Sequence, residues 1–108
     1  MPRRDIRRNE RIPCTLAVRL SWTAPDGSVG YGQGKCRDIS ADGLRIETRE
    51  TVPAQSHVNL RVEQPEVAGS ARVRYFRRGP MRNIIGLELS QKVRQDLLDA
   101  LRTAPPGS

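Results

Sequence analysis

Apolar and polar residues alternate one for one along most of this chain. In TLAVRLSW (15–22), Leu16, Val18, Leu20 and Trp22 fall on one face, and Thr15, Ala17, Arg19 and Ser21 on the other. That period of two is the mark of a strand with one buried face. Pro13 stands just ahead, where a strand's first residue can do without a backbone donor. APDG (24–27) is turn chemistry, and it predicts a hairpin whose return strand runs from Val29 to Arg37. Gly30, Gly32 and Gly34 mark that strand as loosely held, twisted or bulged. Further on, LRIET turns Leu44 and Ile46 inward, and HVNLRVE does the same with Val58, Leu60 and Val62. ARVRYF sets Ala71, Val73 and Tyr75 against Arg72, Arg74 and Phe76, and NIIGLEL turns Ile85, Leu87 and Leu89 inward. Six short strands with turn signals between them predict a mainly β domain, a small antiparallel barrel or sandwich. Trp22 and Tyr75 are expected in its core.

The period then changes. From Ser90, an N-cap residue type, QKVRQDLLDALRT carries Val93, Leu97, Leu98 and Leu101 along one helical stripe, with Pro105 and Pro106 beyond its end. One amphipathic helix of about residues 91–103 is predicted to cover an end of the sheet. One stretch breaks the alternation instead of continuing it: DISADG (38–43), where Asp38, Ser40, Asp42 and Gly43 are all turn formers.

Length and composition narrow the picture. A chain of 108 residues predicts one compact domain. No apolar run approaches the roughly 20 residues of a membrane span. MPRRDIRRNER has no apolar stretch behind its charges, so neither a secretory signal nor membrane insertion is expected, and a cytoplasmic location follows. Cys14 and Cys36 match no metal-ligand spacing. In a cytoplasmic protein they are expected to be reduced, small apolar groups beside strands. No metal and no cofactor are expected.

Charge points to the partner. The formal net charge is +7, and of 19 basic residues only Lys35 and Lys92 are lysine. A surplus of this size favours anionic partners, although codon bias enriches arginine too, so position carries more weight than content. Residues 1–11 hold Arg3, Arg4, Arg7, Arg8 and Arg11 without apolar periodicity, and read as a flexible basic arm. Catalysis finds little support. The single histidine, His57, opens a predicted strand, and the chain has no GxSxG, HExxH or phosphate-binding P-loop. The chain is read as a binding protein, not an enzyme.

Two motifs stand in a particular relation. Arg7-x-x-x-Arg11 lies directly before the first long predicted strand. The same spacing recurs at Arg3/Arg7, Arg4/Arg8, Arg45/Arg49, Arg74/Arg78 and Arg78/Arg82, so alone it is weak. Asp38-x-Ser40-x-x-Gly43 occurs once, directly after the second strand. The 27 positions from Arg11 to Asp38 are about one hairpin out and back. The hairpin therefore returns the loop to the arginines.

With both motifs in this order, as RRNER and DISADG, the chain resembles the PilZ domain family. GLEL (86–89) is similar to that family's last-strand pattern. The resemblance covers nearly the whole chain. It implies a six-stranded antiparallel β-barrel with a C-terminal helix, and a receptor for the bacterial second messenger cyclic di-GMP. On that basis residues 1–11 form the arm, 12–104 the barrel with its helix, and 105–108 a tail. The ligand explains the residue types. An arginine fork matches guanine O6 and N7 in two bonds and grips phosphate as a charge-assisted pair. Arg7, Arg8 and Arg11 are thus expected on the ligand. Asp38 accepts from the N1–H and N2–H₂ donors of guanine, Ser40 bonds phosphate or braces an arginine, and Gly43 keeps side chains out of the way. The arm is expected to order on the ligand and be read by an effector protein. Ile6, apolar just before the motif, favours one ligand per chain, while Arg3, Arg4 and Arg8 are able to support a pair.

Two alternatives stay open. A ligand-independent PilZ-fold adaptor would work through protein contacts alone. A small basic barrel would bind nucleic acid, but one Trp, one Phe and two Tyr leave few stacking platforms, so no specific nucleic-acid partner is expected.

Overall fold

The computed structural model describes residues 10–41, 43–63 and 66–103. Seven strands precede one helix: β1 (Arg11–Pro13), β2 (Ala17–Thr23), β3 (Val29–Ser40), β4 (Gly43–Thr48), β5 (His57–Glu63), β6 (Glu66–Arg77), β7 (Asn83–Leu89) and α1 (Gln91–Thr103). Every pairing is antiparallel, in the order β1-β3-β2-β5-β6-β7-β4, and β4 returns to pair with β3. That last pairing closes β3-β2-β5-β6-β7-β4 into the expected six-stranded barrel. The short β1 is added on the wall of β3, with Arg11 opposite Ser40 and Pro13 opposite Asp38.

Alternation explains the core. Val18, Leu20, Val58, Leu60, Val62, Val73, Ile85 and Leu87 point inward and are buried. Trp22 is half-buried against them. Burying such side chains is worth about 1.5–3 kcal/mol each. The turn after β2 forms as its residues dictate. Gly27 takes φ +90°, its N–H donates to the Ala24 carbonyl at 2.8 Å, and Asp26 accepts from the Ser28 amide at 2.9 Å. Ser90 caps α1, its hydroxyl accepting from the Val93 N–H at 3.2 Å. Val93, Leu97 and Leu98 are buried with the barrel core, and Leu101 packs partly against it. Among the described residues, no helix is long and apolar enough to cross a membrane.

Four expectations change. β3 does not stop at Arg37 but runs on through Ser40. Its glycines do not mark a distortion: a Cβ on Gly30 would lie 2.5 Å from the Trp22 ring, and one on Gly34 would lie 2.6 Å from the Glu47 carbonyl oxygen. They make room for neighbours, and the irregularity in β3 lies further on, between Cys36 and Asp38. Tyr75 is not a core residue but is 36% exposed, and Phe76 takes the inward position. Finally, Cys14 and Cys36 are not free thiols but a buried disulfide with Cα atoms 5.3 Å apart. The hairpin brings Cys36 back beside the chain at Cys14, whose N–H donates to the Arg37 carbonyl at 3.1 Å. The expectation of reduced thiols rests on the cytoplasmic reading, not on their distance along the chain.

Candidate functional site

The site is built by two bulges. On β3, Cys36 is buried and faces Ile46 of β4, while Asp38 faces Arg45. Two residues on β3 thus answer one step on β4, and Arg37 is the extra one. Strict alternation would turn Asp38 into the core after Cys36; the bulge turns it onto the outer wall and sends Ile39 inward instead. On β6, Val73 faces Leu87 of β7, and Tyr75 faces Gly86, with Arg74 the extra residue. Tyr75 turns outward for the same reason. Since Arg45 is also the register partner of Gly86, Asp38, Arg45, Gly86 and Tyr75 form one transverse row across β3, β4, β7 and β6.

Charge and hydrogen bonding knit this row together. The Arg45 Nε donates to both Asp38 oxygens at 3.0 Å, and Nη2 also donates to Oδ2. Arg11 adds a longer bond from Nη1 to Oδ1 at 3.5 Å. Burial alone would raise the Asp38 pKa. The hydrogen bonds and charge of Arg45, with those of Arg11, outweigh it and hold the carboxyl below its ordinary value. In turn, the Asp38 hydrogen bonds hold the Arg45 guanidinium above its usual pKa against partial burial, with the Tyr75 hydroxyl a further partner. Asp38 is therefore a fixed carboxylate at neutral pH.

Beside the row lies an open cleft of about 360 Å³ lined by Arg11, Ser40, Gly43, Arg45, Arg74 and Tyr75, with Gly86 and Leu87 also at its wall. Two glycines shape it. Gly43 has φ +151°, and a Cβ there would lie 1.9 Å from the Leu87 carbonyl oxygen. A Cβ on Gly86 would lie 2.1 Å from the Tyr75 ring. The missing side chain at Gly86 is what lets that ring lie flat across β7 toward Arg45.

Of the residues expected on a ligand, the fold brings Arg11, Asp38, Ser40 and Gly43 to this one wall, from β1, β3 and β4. Arg7 and Arg8 lie outside the described residues. DISADG is not a break in the sheet, because Asp38, Ile39 and Ser40 pair with both β1 and β4. The turn begins at Ala41. Arg45, Arg74 and Tyr75, the charged and aromatic side chains of the cleft wall outside both motifs, add to it. Arg45 was legible as the outward residue next to the second motif, in LRIET. Arg74 and Tyr75 were not, since they depend on a bulge that alternation does not reveal. His57 opens β5 on the exposed face opposite Thr23 and Arg72, away from the row. Among the described residues no cluster of three His, Cys, Asp or Glu is arranged to hold a metal.

The sequence matches the PilZ domain family over residues 5–103. The chain belongs to that family. Two solved structures share the fold. The Bacillus subtilis inhibitor of motility MotI/DgrA superposes with a TM-score of 0.61 at 19% identity, over 94% of this chain and 51% of that one. This PilZ chain thus spans about half the length of that relative. The PilZ domain of CeSA from a cellulose-synthesizing bacterium gives a TM-score of 0.55 at 23% identity, over 86% of this chain and 94% of that one. No curated protein sequence matches the chain.

Proposed function

We propose that this PilZ domain binds cyclic di-GMP on the barrel wall and passes the event to an effector protein. One observation carries the reading: Arg11, Ser40 and Gly43, drawn from both family motifs, line a single cleft with the exposed ring of Tyr75, and Asp38 stands beside it, bonded to Arg11 and Arg45. Arg11 is exposed over more than half of its side-chain surface. It suits a phosphate or the O6/N7 edge of guanine. Asp38, kept ionised by Arg45, offers acceptors to the guanine N1–H and N2–H₂ donors. Ser40 suits a phosphate oxygen. The Tyr75 ring offers a stacking face for a base, and Arg74 a second cation at the rim. Arg45 is a positioning residue, since it orients Asp38 from the neighbouring strand. Arg7 and Arg8 join the ligand as the segment ahead of β1 settles onto the barrel, and that arm with its nucleotide forms the surface the effector reads. The role is binding, with no bond made or broken.

Calorimetric titration with cyclic di-GMP at physiological salt, with GTP and GMP as controls, tests this. Saturable heat with cyclic di-GMP alone is expected, abolished by Arg11→Ala and by Asp38→Ala. Its stoichiometry separates one ligand from two. No heat, or an equal response to all three nucleotides, refutes the receptor reading. Hydrogen exchange tests the relay: amides 5–12 gain protection with ligand, and unchanged exchange there removes the arm from the mechanism.

A further inference from the structure

Arginines are not distributed evenly over this surface with respect to acids. Those on the barrel walls are matched: Arg19 with Glu63, Arg37 with Glu47, Arg61 with Glu66 and Arg72 with Glu88. At the end of the barrel where β6 turns into β7 the matching stops. Among the described residues, Arg77, Arg78 and Arg82 of that turn, and Arg49 just past β4, have no carboxylate partner. They belong to one place. Arg77 is opposite Ile84, Thr48 is opposite Asn83, and the Asn83 side chain donates to the Glu50 carbonyl at 2.9 Å. The Glu50 carboxylate, the acid beside Arg49, is turned toward Gly32 of β3.

Two of these cations are held in place. The Arg77 guanidinium stands 5.5 Å from the Tyr75 ring centroid, and that of Arg78 stands 5.6 Å from the Phe76 ring. Stacking lowers the entropy lost when a partner is gripped. Between them and Arg82, Met81 is 82% exposed, an apolar anchor inside a cationic rim.

We propose that this turn, with Arg49, is a docking surface for an acidic protein segment, an extended Asp/Glu-rich stretch carrying an apolar side chain for Met81. Charge complementarity selects an anion, and Met81 selects one with apolar groups. Shape favours a polypeptide over a membrane. Arg77 ends β6 against the outward Tyr75 ring, and Arg78, just past the strand, stacks on the inward Phe76 ring, so the two guanidiniums stand on opposite sides of the strand's end. A flat anionic surface meets only one of them, whereas an extended chain can reach round the tip to both. The surface is formed by residues outside 1–11 and does not require the nucleotide. Arg77 does share the Tyr75 ring with the cleft.

The test uses the ligand-free protein at physiological salt and a fluorescent Asp/Glu-rich peptide with one central leucine. Anionic phosphatidylglycerol vesicles and duplex DNA are the competing probes. Saturable anisotropy with the peptide is expected, weakened at least about tenfold in the Arg78→Glu/Arg82→Glu variant. Arg61→Gln/Arg72→Gln, which removes matched arginines, leaves it unchanged. Circular dichroism shows that both variants fold. No peptide binding, or equal loss in both variants, overturns the proposal. So does tighter, turn-dependent binding to vesicles or DNA, which would assign the patch to those anions.

Discussion

Asp38 and Tyr75 reach the same row of the barrel wall by the same device. Each follows a core residue by two positions, Cys36 and Val73, and each is turned outward by one extra residue in its strand. Between them stand Arg45 and Gly86, register partners of each other. The charged end of the row and its aromatic end are therefore fixed by backbone pairing, and side-chain flexibility has little part in their spacing.

The Asp38–Arg45 pair makes a pH-dependent contribution to stability. Folding lowers the Asp38 pKa from its ordinary 3.8. The unfolded chain therefore binds the proton first on acidification, and the contribution is complete above that value and lost as pH falls through the lower, folded one. Asp38→Asn is expected to cost about 1–3 kcal/mol at neutral pH. The gap from the parent protein narrows below about pH 4. Urea denaturation across pH measures it, and a gap independent of pH would contradict the assignment.

Tyr75 and Gly86 should act on ligand affinity together. Loss of a stacked base costs about 1–3 kcal/mol, so Tyr75→Ala is expected to weaken cyclic di-GMP binding roughly tenfold to a hundredfold, while Tyr75→Phe keeps most of it. Gly86→Ala leaves the tyrosine present but drives its ring off the wall, and is expected to weaken binding with little change in denaturation midpoint. Calorimetry on the three variants decides; full affinity in Gly86→Ala would remove the ring from the site.

Gly43 is different, because its neighbour is backbone. Its φ of +151°, with the Leu87 carbonyl oxygen 1.9 Å from where a Cβ would stand, leaves no side chain an easy accommodation. Gly43→Ala is expected to destabilise the fold by about 1–3 kcal/mol or more. Thermal denaturation checks this, and an unchanged midpoint would contradict the close approach of β4 to β7.

The Cys14–Cys36 bridge ties the entrance of β2 to β3, two residues from Asp38. Purified without reductant, the protein is expected to show no titratable thiol after denaturation. Reduction, or Cys14→Ala, should lower stability by about 2–4 kcal/mol. Two free thiols in the untreated protein would return the cysteines to the reduced state expected of a cytoplasmic protein.

Much of this protein was determined by its sequence alone. Strict alternation set β5 and β7 to the residue, because a period of two leaves a half-buried strand one choice of inward face. Ser90 and the stripe from Val93 to Leu101 set the helix in the same local way. The two motifs, one hairpin apart, were enough to bring Arg11 and Asp38 to one place. Only the tertiary structure decided what depends on how neighbouring strands count against each other. A single extra residue at Arg37 or Arg74 reverses the face of all that follows, and no local pattern announces it. Hence Tyr75 read as core and Arg74 went unassigned. In each case the deciding partner stands on another strand, and the physical cause is register.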